Sequence, residues 1–275
     1  MQPASPIDVI DLFSEMRAQL LDLLSSLSPD EWSAPTVCDP WSVKDLAAHI
    51  VGDDLGHLSW QRDRHASAAG PDSYDELVAF INRQNAQWVE AMRRFSPALI
   101  IDLLRFSGER FEAHLVTLDL ASTGPSVDWA GPAPAPMWLH VAREYTERWS
   151  HQQQIRDAVD RPGMKERRFF APLLDAYVRG VPHAFRDVEA PGDTHVRIEI
   201  TGDAGGAWSL VRTHGAWALY TGVDTPPDAT TTLDQETAWR LCTKGLTPDG
   251  ARKGATLSGD VALASQVLQT VSVLA

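Results

Sequence analysis

The chain is poor in cysteine: its 275 residues include only Cys38 and Cys242. Two thiols exclude a disulfide-stapled scaffold, so a reducing cytoplasm is the expected compartment. We expect each cysteine to act mainly as a small buried hydrophobic residue.

Long apolar runs are also absent. No stretch approaches the roughly 18 continuous apolar residues that a membrane span requires. The first residues, Met1 to Phe13, lack the basic start and unbroken apolar core of a signal peptide. We therefore expect no membrane partner and no secretion signal.

Lysine is scarce, because only 4 of the 24 basic residues are lysines. The formal net charge is −13, and the isoelectric point is near 5.0. An acidic surface of this kind argues against a nucleic-acid backbone or an anionic membrane as partner. Arginine suits fixed recognition of carboxylates better than lysine does, although genome base composition explains most of the arginines.

The first 160 or so residues carry the periodicity of amphipathic helices. Apolar residues recur at three- and four-residue steps from Val9 to Leu27, with Ser5 as the predicted N-cap. Ser28 and Ser42 begin further capping patterns. After a break at residues 70–73, helices are expected over about 74–94, 97–120 and 136–159, and residues 122–136 are expected to form a loop. Long antiparallel helices with one long connection predict an up-down four-helix bundle, which commonly holds metal sites between facing helices.

Beyond Gly163 the pattern changes to strands followed by helices. One helix bent at Pro182 is expected over about 172–188. Strands are expected over 194–201, 208–213, 216–221 and 228–233. Asp234 is the predicted cap of a helix that runs to about Lys244, and Asp260 is the predicted cap of a helix that reaches Leu274. The sequence therefore predicts an α+β protein of two domains, a helical bundle over 1–163 and a small α+β domain with an antiparallel sheet over 166–275.

Glu147 and His151 stand four residues apart in the last long helix of the bundle. This spacing puts a carboxylate and an imidazole on one face, where together they can bind one metal ion. His140 and Glu144 extend the same stripe, so the pattern alone does not choose the turn. A third ligand must come from elsewhere, and His49 is the best candidate, although a histidine among apolar neighbours is more often a core residue.

Two separated motifs carry a family resemblance. The segment Trp41-Ser-Val-Lys-Asp-Leu-Ala-Ala-His49, together with Glu147-Arg-Trp-Ser-His151, resembles the mycothiol-dependent maleylpyruvate isomerase family, a branch of the DinB-like metal-binding bundles. The segments Asp234–Leu241 and Gly259–Ala264 are similar to the C-terminal domain of that family, which is related in shape to sterol-carrier folds.

The resemblance implies a metal site and a thiol co-substrate. It implies that His49, Glu147 and His151 bind a divalent metal, usually zinc, and it thereby selects Glu147 over Glu144. It also implies mycothiol as the thiol. The candidates for contacting substrate carboxylates are Arg240, Lys244 and Arg252. The remaining histidines are expected not to be ligands: His57, His65, His114, His140, His183, His195 and His214.

Three protein ligands would leave one metal position open, as in catalytic zinc sites. A thiol entering that position loses its proton, and the thiolate is a strong nucleophile toward an electron-poor double bond. Reversible addition isomerises that bond, whereas a thiol that stays bound makes the enzyme an S-transferase. The expected substrate is small, electrophilic and anionic. The alternatives are a non-catalytic metal-binding protein that regulates or binds a partner, and a metal-dependent hydrolase that uses bound water.

Overall fold

Helix α3 (Val43–His57) begins at a capping box that the sequence predicts. The Ser42 hydroxyl accepts a hydrogen bond from the backbone N–H of Asp45, and the Asp45 carboxylate accepts one from the backbone N–H of Ser42. Two of the unpaired N–H groups at the helix start are thereby satisfied within one turn. These local contacts fix the residue at which α3 starts.

The computed structural model describes residues 1–65 and 73–273, and the expected break at residues 70–72 lies outside them. The chain divides into two compact units. The helical unit comprises Val9–Leu120 and Glu147–Met164, and the mixed unit comprises Met1–Asp8, Ala121–Thr146 and Lys165–Leu274. Residues 1–8 and 121–146 thus group with the C-terminal part of the chain, and the division at residues 163–166 into two domains stays a prediction.

The helical unit is built from helices that follow one another closely. In chain order these are α1 (Ile10–Ser26), α2 (Pro29–Trp32), α3 with a π-helical turn at Leu58–Arg62, α4 (Tyr74–Met92), α5 (Pro97–Leu115) and the C-terminal half of α6 (Met137–Ala158). Helices α1, α3, α5 and α6 all contribute side chains to the core, among them Leu24, Leu46, Leu104 and Ile155. Each fully buried leucine contributes about 2 kcal/mol.

Helix α4 lies on the outside of the helical unit. Only Val89 and Met92 of its described side chains are buried, and Trp88 donates a hydrogen bond to the carbonyl of Ala48 on α3. The expected four-helix bundle is therefore confirmed, with α4 as an additional helix on its surface.

The predicted start of α1 at Ser5 is wrong. The helix begins at Ile10, and its N-cap, Val9, makes no side-chain capping bond. The preceding chain is held extended, because β1 (Gln2–Pro3) pairs with β6 (Ala216–Thr221). Arg179 also donates to the carbonyl of Ser5. Strand pairing thus overrides the local capping signal.

The mixed unit contains a six-stranded sheet with strand order β1-β6-β5-β4-β7-β8. The remaining strands are β4 (His195–Thr201), β5 (Gly206–Thr213), β7 (Ala229–Asp234) and β8 (Thr256–Gly259). The hairpins are antiparallel as expected, but β4 and β7 pair in parallel, so the sheet is mixed rather than purely antiparallel. Strand β8 was not predicted, because its four residues carry little periodicity.

Residues 122–136 form a hairpin rather than the expected loop. Strand β2 (Thr123–Val127) pairs with β3 (Gly131–Pro136) in an irregular antiparallel register, and Trp129 at its turn is buried. The prolines in both strands make this segment look like a loop in the sequence. They are compatible with a two-stranded ribbon because each strand has an outer edge where no N–H donor is needed.

The helices after Gly163 also differ from expectation. The helix predicted over 172–188 is instead α7 (Arg167–Val178) and the short α8 (Val181–Ala184), which is separated from α7 at Gly180. Helices α9 (Gln235–Cys242) and α11 (Val261–Gln266) begin at the predicted caps, Asp234 and Asp260, and α10 (Pro248–Arg252) lies between them.

The helix expected to reach Leu274 ends early. A 3-10 turn at Val267–Gln269 follows α11, and Ser272 then donates its backbone N–H to the carbonyl of Cys242 at the end of α9. Leu274 itself lies outside the described residues. No helix among the described residues combines the length and apolarity needed to cross a membrane.

Candidate metal centre

The predicted ligands His49 and His151 meet in the helical unit. Nε2 of His49 lies 3.2 Å from Nε2 of His151, although 102 positions separate them in sequence. His49 is buried in the middle of α3, and Trp41 lies against its ring with 5.0 Å between ring centroids. The pairing of two imidazoles from facing helices is what a bundle metal site requires.

Each histidine has a carboxylate one turn away on its own helix. Oε2 of Glu147 lies 3.6 Å from Nε2 of His151, and Oδ2 of Asp53 lies 3.5 Å from Nε2 of His49. His49, Asp53 and His151 each offer a donor atom, and these atoms lie within 4.8 Å of one another. Asp53 is not among the ligands that the sequence predicts. Its position four residues after His49 is the signal that could have identified it.

These separations fit a divalent metal. Zinc bound at about 2.0–2.1 Å by two imidazoles in tetrahedral geometry holds their nitrogens about 3.3 Å apart. The observed distance of 3.2 Å between the two Nε2 atoms is close to that edge. Two imidazoles with nearby carboxylates also form a donor set that zinc commonly accepts. The two imidazoles and Asp53 therefore fit a divalent metal, whereas Glu147 lies beside His151 but outside the group of donors that all lie within 4.8 Å of one another.

A second contact fixes the ring of His151. Its Nδ1 lies 2.8 Å from Oε1 of Gln154, and the Cys38 thiol donates to that same oxygen at 3.3 Å. When Nδ1 carries the ring hydrogen and donates it to Gln154, Nε2 is left with a lone pair for a metal. The sequence did not reveal this arrangement, because Cys38 and Gln154 are 116 positions apart.

A buried ion pair sets the axial position of α6 relative to α3. Arg148 donates through Nε and Nη2 to Oδ1 of Asp54, at 3.0 and 2.7 Å. Ser107 of α5 donates to the other oxygen of Asp54 at 2.9 Å. Asp54 and Arg148 are the direct sequence neighbours of Asp53 and Glu147. The pair therefore fixes the register of the two helices at the level of the site.

The pKa values of the two histidines are shifted in opposite directions. Burial lowers the pKa of His49 to about 4, against the opposing charge of Asp53. Burial also acts to lower the pKa of His151, but contact with the Cys38 thiol and the charge of Glu147 raise it to about 9. His151 therefore binds a proton more tightly than His49 does.

The other sequence candidates lie elsewhere. Glu144, the alternative to Glu147, is buried and accepts a hydrogen bond from Arg143. The substrate-side candidates belong to the mixed unit. Arg240 lies near the end of α9 over the ring of Trp239, Lys244 follows that helix, and Arg252 in α10 donates to Ser265. Their role in contacting substrate carboxylates stays a prediction.

Fold and site together define a class of protein, a helical bundle with a histidine–carboxylate cluster joined to a mixed-sheet unit. A profile of the mycothiol maleylpyruvate isomerase N-terminal domain matches residues 13–156, which is more than half of the chain. The chain therefore belongs to the mycothiol-dependent maleylpyruvate isomerase family, which is a family of enzymes.

Two solved structures share this fold. One is described as a mycothiol-dependent maleylpyruvate isomerase, with 12% identity and a TM-score of 0.50. The other is a histidine-to-alanine variant described by the same enzyme name, with 11% identity and a TM-score of 0.51. Each comparison covers 90% of this chain and 91% of the other. At this identity the likeness establishes the fold alone. A search of curated proteins found no match.

Proposed function

We propose that this chain is a metal-dependent enzyme that uses a small-molecule thiol, mycothiol. Its substrate is small and anionic and has an electron-poor double bond, which the enzyme either isomerises or converts to a thioether by S-transfer. The observation that carries the proposal is the 3.2 Å approach of the two imidazole nitrogens beside two carboxylates. Family membership supplies the thiol and points to maleylpyruvate or a related cis-configured acid as substrate.

The residues of the site would have different roles. His49, Glu147 and His151 would hold the divalent metal, most suitably zinc. When bound, this metal would supply positive charge that favours the thiolate form of an incoming thiol at neutral pH. Gln154 would keep Nδ1 of His151 protonated, so that Nε2 stays available.

The reaction follows from thiolate chemistry. The thiolate adds to one alkene carbon, and the π electrons move onto the conjugated carbonyl to give an enolate. Rotation about the new single bond and expulsion of the thiolate give the trans isomer. If a proton reaches the carbanionic carbon first, the thioether remains and the outcome is S-transfer. Isomerase and S-transferase therefore differ in one proton delivery at the same site.

The protein offers no suitable thiol of its own in the described structure. Burial raises the pKa of the Cys242 thiol to about 12, which suppresses its nucleophilic form. The Cys38 thiol donates to Gln154 and contacts His151, so it belongs to the contacts that hold this metal ligand. A diffusible thiol is therefore the better nucleophile, in agreement with the family.

Cobalt substitution tests the proposal directly. Mycothiol added to the cobalt-loaded protein should generate a thiolate-to-cobalt charge-transfer band, and added maleylpyruvate should then lose its cis double bond. A thiol signal without turnover would remove only that substrate. If no thiol perturbs the cobalt spectrum, the thiol mechanism is wrong, and the metal-binding protein or the hydrolase replaces it. Hydrolysis of an ester panel by the zinc form without added thiol would favour the hydrolase.

A further inference from the structure

Asp53 lies on the metal-facing side of His49. Its Oδ2 is 3.5 Å from Nε2 of His49, the same nitrogen that lies 3.2 Å from His151. Of the described acidic side chains of the helical unit, Asp53 is the one whose donor lies within 4.8 Å of both histidine nitrogens. The resemblance assigns no role to this residue.

The choice of nitrogen separates a ligand from a supporting residue. A supporting group binds the ring nitrogen that points away from the metal, where it fixes the tautomer. Gln154 does this at Nδ1 of His151. Asp53 approaches Nε2 of His49 instead, so its carboxylate occupies the same side of the ring as a metal would.

The two helices present matching pairs. On α3, Nε2 of His49 lies 3.5 Å from Oδ2 of Asp53. On α6, Nε2 of His151 lies 3.6 Å from Oε2 of Glu147. The exposure also matches, because the Asp53 and Glu147 side chains are 25% and 24% exposed while both imidazoles lie deeper. The carboxylates thus form the rim of the site and the histidines its floor.

We propose that Asp53 is a fourth protein ligand of the metal, so that the site is a His₂-Asp-Glu set rather than a His₂-Glu set with one open position. The inference rests on the metal binding in the proposed function. Two carboxylates neutralise a divalent cation that the two neutral imidazoles leave charged. An incoming thiol would then have to replace a rim carboxylate or expand the coordination, rather than fill a vacant position.

Substitution of Asp53 by cysteine tests this without any activity assay. Cobalt is added to the full chain as wild type, as Asp53→Cys and as Asp102→Cys. Asp102 is the matched control, because it is an exposed aspartate on α5 paired only locally with Arg105. If position 53 reaches the metal, Asp53→Cys should gain a near-ultraviolet thiolate-to-cobalt band that the wild type, which retains Cys38, and Asp102→Cys both lack.

A second variant keeps the proposal testable if Asp53→Cys does not fold. Asp53→Asn should weaken zinc binding more than about 100-fold, beyond the 10–100-fold typical of supporting residues, in competition with a chromophoric chelator. It should also change the visible cobalt bands. Normal cobalt binding by Asp53→Cys without the charge-transfer band would overturn the proposal. So would unchanged zinc affinity and cobalt bands in Asp53→Asn. A wild-type protein that binds no metal would instead remove the proposed metal function, and this inference with it.

Discussion

Nε2 of His49 faces Nε2 of His151 across the helical unit at 3.2 Å. Two imidazole nitrogens at this distance must share a proton or a metal ion, because two lone pairs or two N–H groups would repel each other. Substitutions at and around the two rings test what lies between them and what holds them in place.

Metal content should depend on both rings. The wild-type chain should carry one divalent metal ion, and His49→Ala and His151→Ala should each lose nearly all of it, because removal of either nitrogen leaves an incomplete donor set. Elemental analysis of the purified, folded proteins measures this. His214→Asn, at an exposed turn of the mixed unit, is the control and should keep full metal content. Full metal content in both alanine variants would remove the site.

Metal affinity should depend on pH through His151. Its pKa is raised to about 9, so the metal-free site holds a proton there at neutral pH, and a metal must displace it. Zinc affinity should therefore rise about tenfold per pH unit from about pH 6 to 8 and level off above about pH 9. Calorimetric titrations in buffers of different ionisation enthalpy should report about one proton released at pH 7. A pH-independent affinity over this range would contradict the assignment.

The raised pKa of His151 also makes the folding stability of the metal-free chain depend on pH. The folded pKa of His151 lies above the ordinary value of 6.5, so its protonated form contributes stability that is fully present below about pH 6.5 and is lost as the pH rises through 9. Urea unfolding of the metal-free protein at pH 6.5 and 9.5 measures this. His151→Gln should flatten that part of the stability profile.

Gln154 should tune the site without binding the metal. Gln154→Leu removes the acceptor for Nδ1–H of His151, so zinc affinity should fall about 10–100-fold. Gln154→Glu keeps an acceptor oxygen and should retain most of the affinity. Chelator competition distinguishes the variants. Equal affinity for all three proteins would show that the contact does not orient the ring.

The buried pair Asp54–Arg148 should be important for stability. Asp54→Ala leaves Arg148 buried without its carboxylate and should cost about 3–5 kcal/mol in the free energy of unfolding. Asp102→Ala, which breaks an exposed pair with Arg105, should cost less than about 1 kcal/mol. Urea denaturation compares the two. Similar costs for both would mean that the buried pair does not fix α3 against α6.

Neither cysteine should be needed for turnover. Serine at position 38 can still donate to Gln154, and Cys242 is buried in the other unit. The double variant Cys38→Ser/Cys242→Ser should therefore keep most of its thiol-dependent activity, while His151→Ala should lose it. Maleylpyruvate isomerisation with added mycothiol is the assay. Loss of activity in the double variant, with full metal content, would implicate a protein thiol.

Local signals in the sequence were enough to fix several elements. The capping boxes at Ser28 and Ser42 and the caps at Asp234 and Asp260 lie where they were expected. Each consists of contacts within three residues, so no distant segment is needed to form it. The four-residue spacing of Glu147 and His151 is equally local, because helix geometry alone puts both on one face.

The tertiary structure decided what depends on distant segments. The extended start of the chain and the parallel pairing of β4 with β7 both require partners far along the sequence. The same holds for the site. Helix geometry alone puts Asp53 beside His49. Only the packing of α3 against α6 brings that pair to His151 and turns both Nε2 atoms toward one point. The reason is that the register between two helices is set by buried contacts between them, such as Asp54–Arg148, and not by either helix alone.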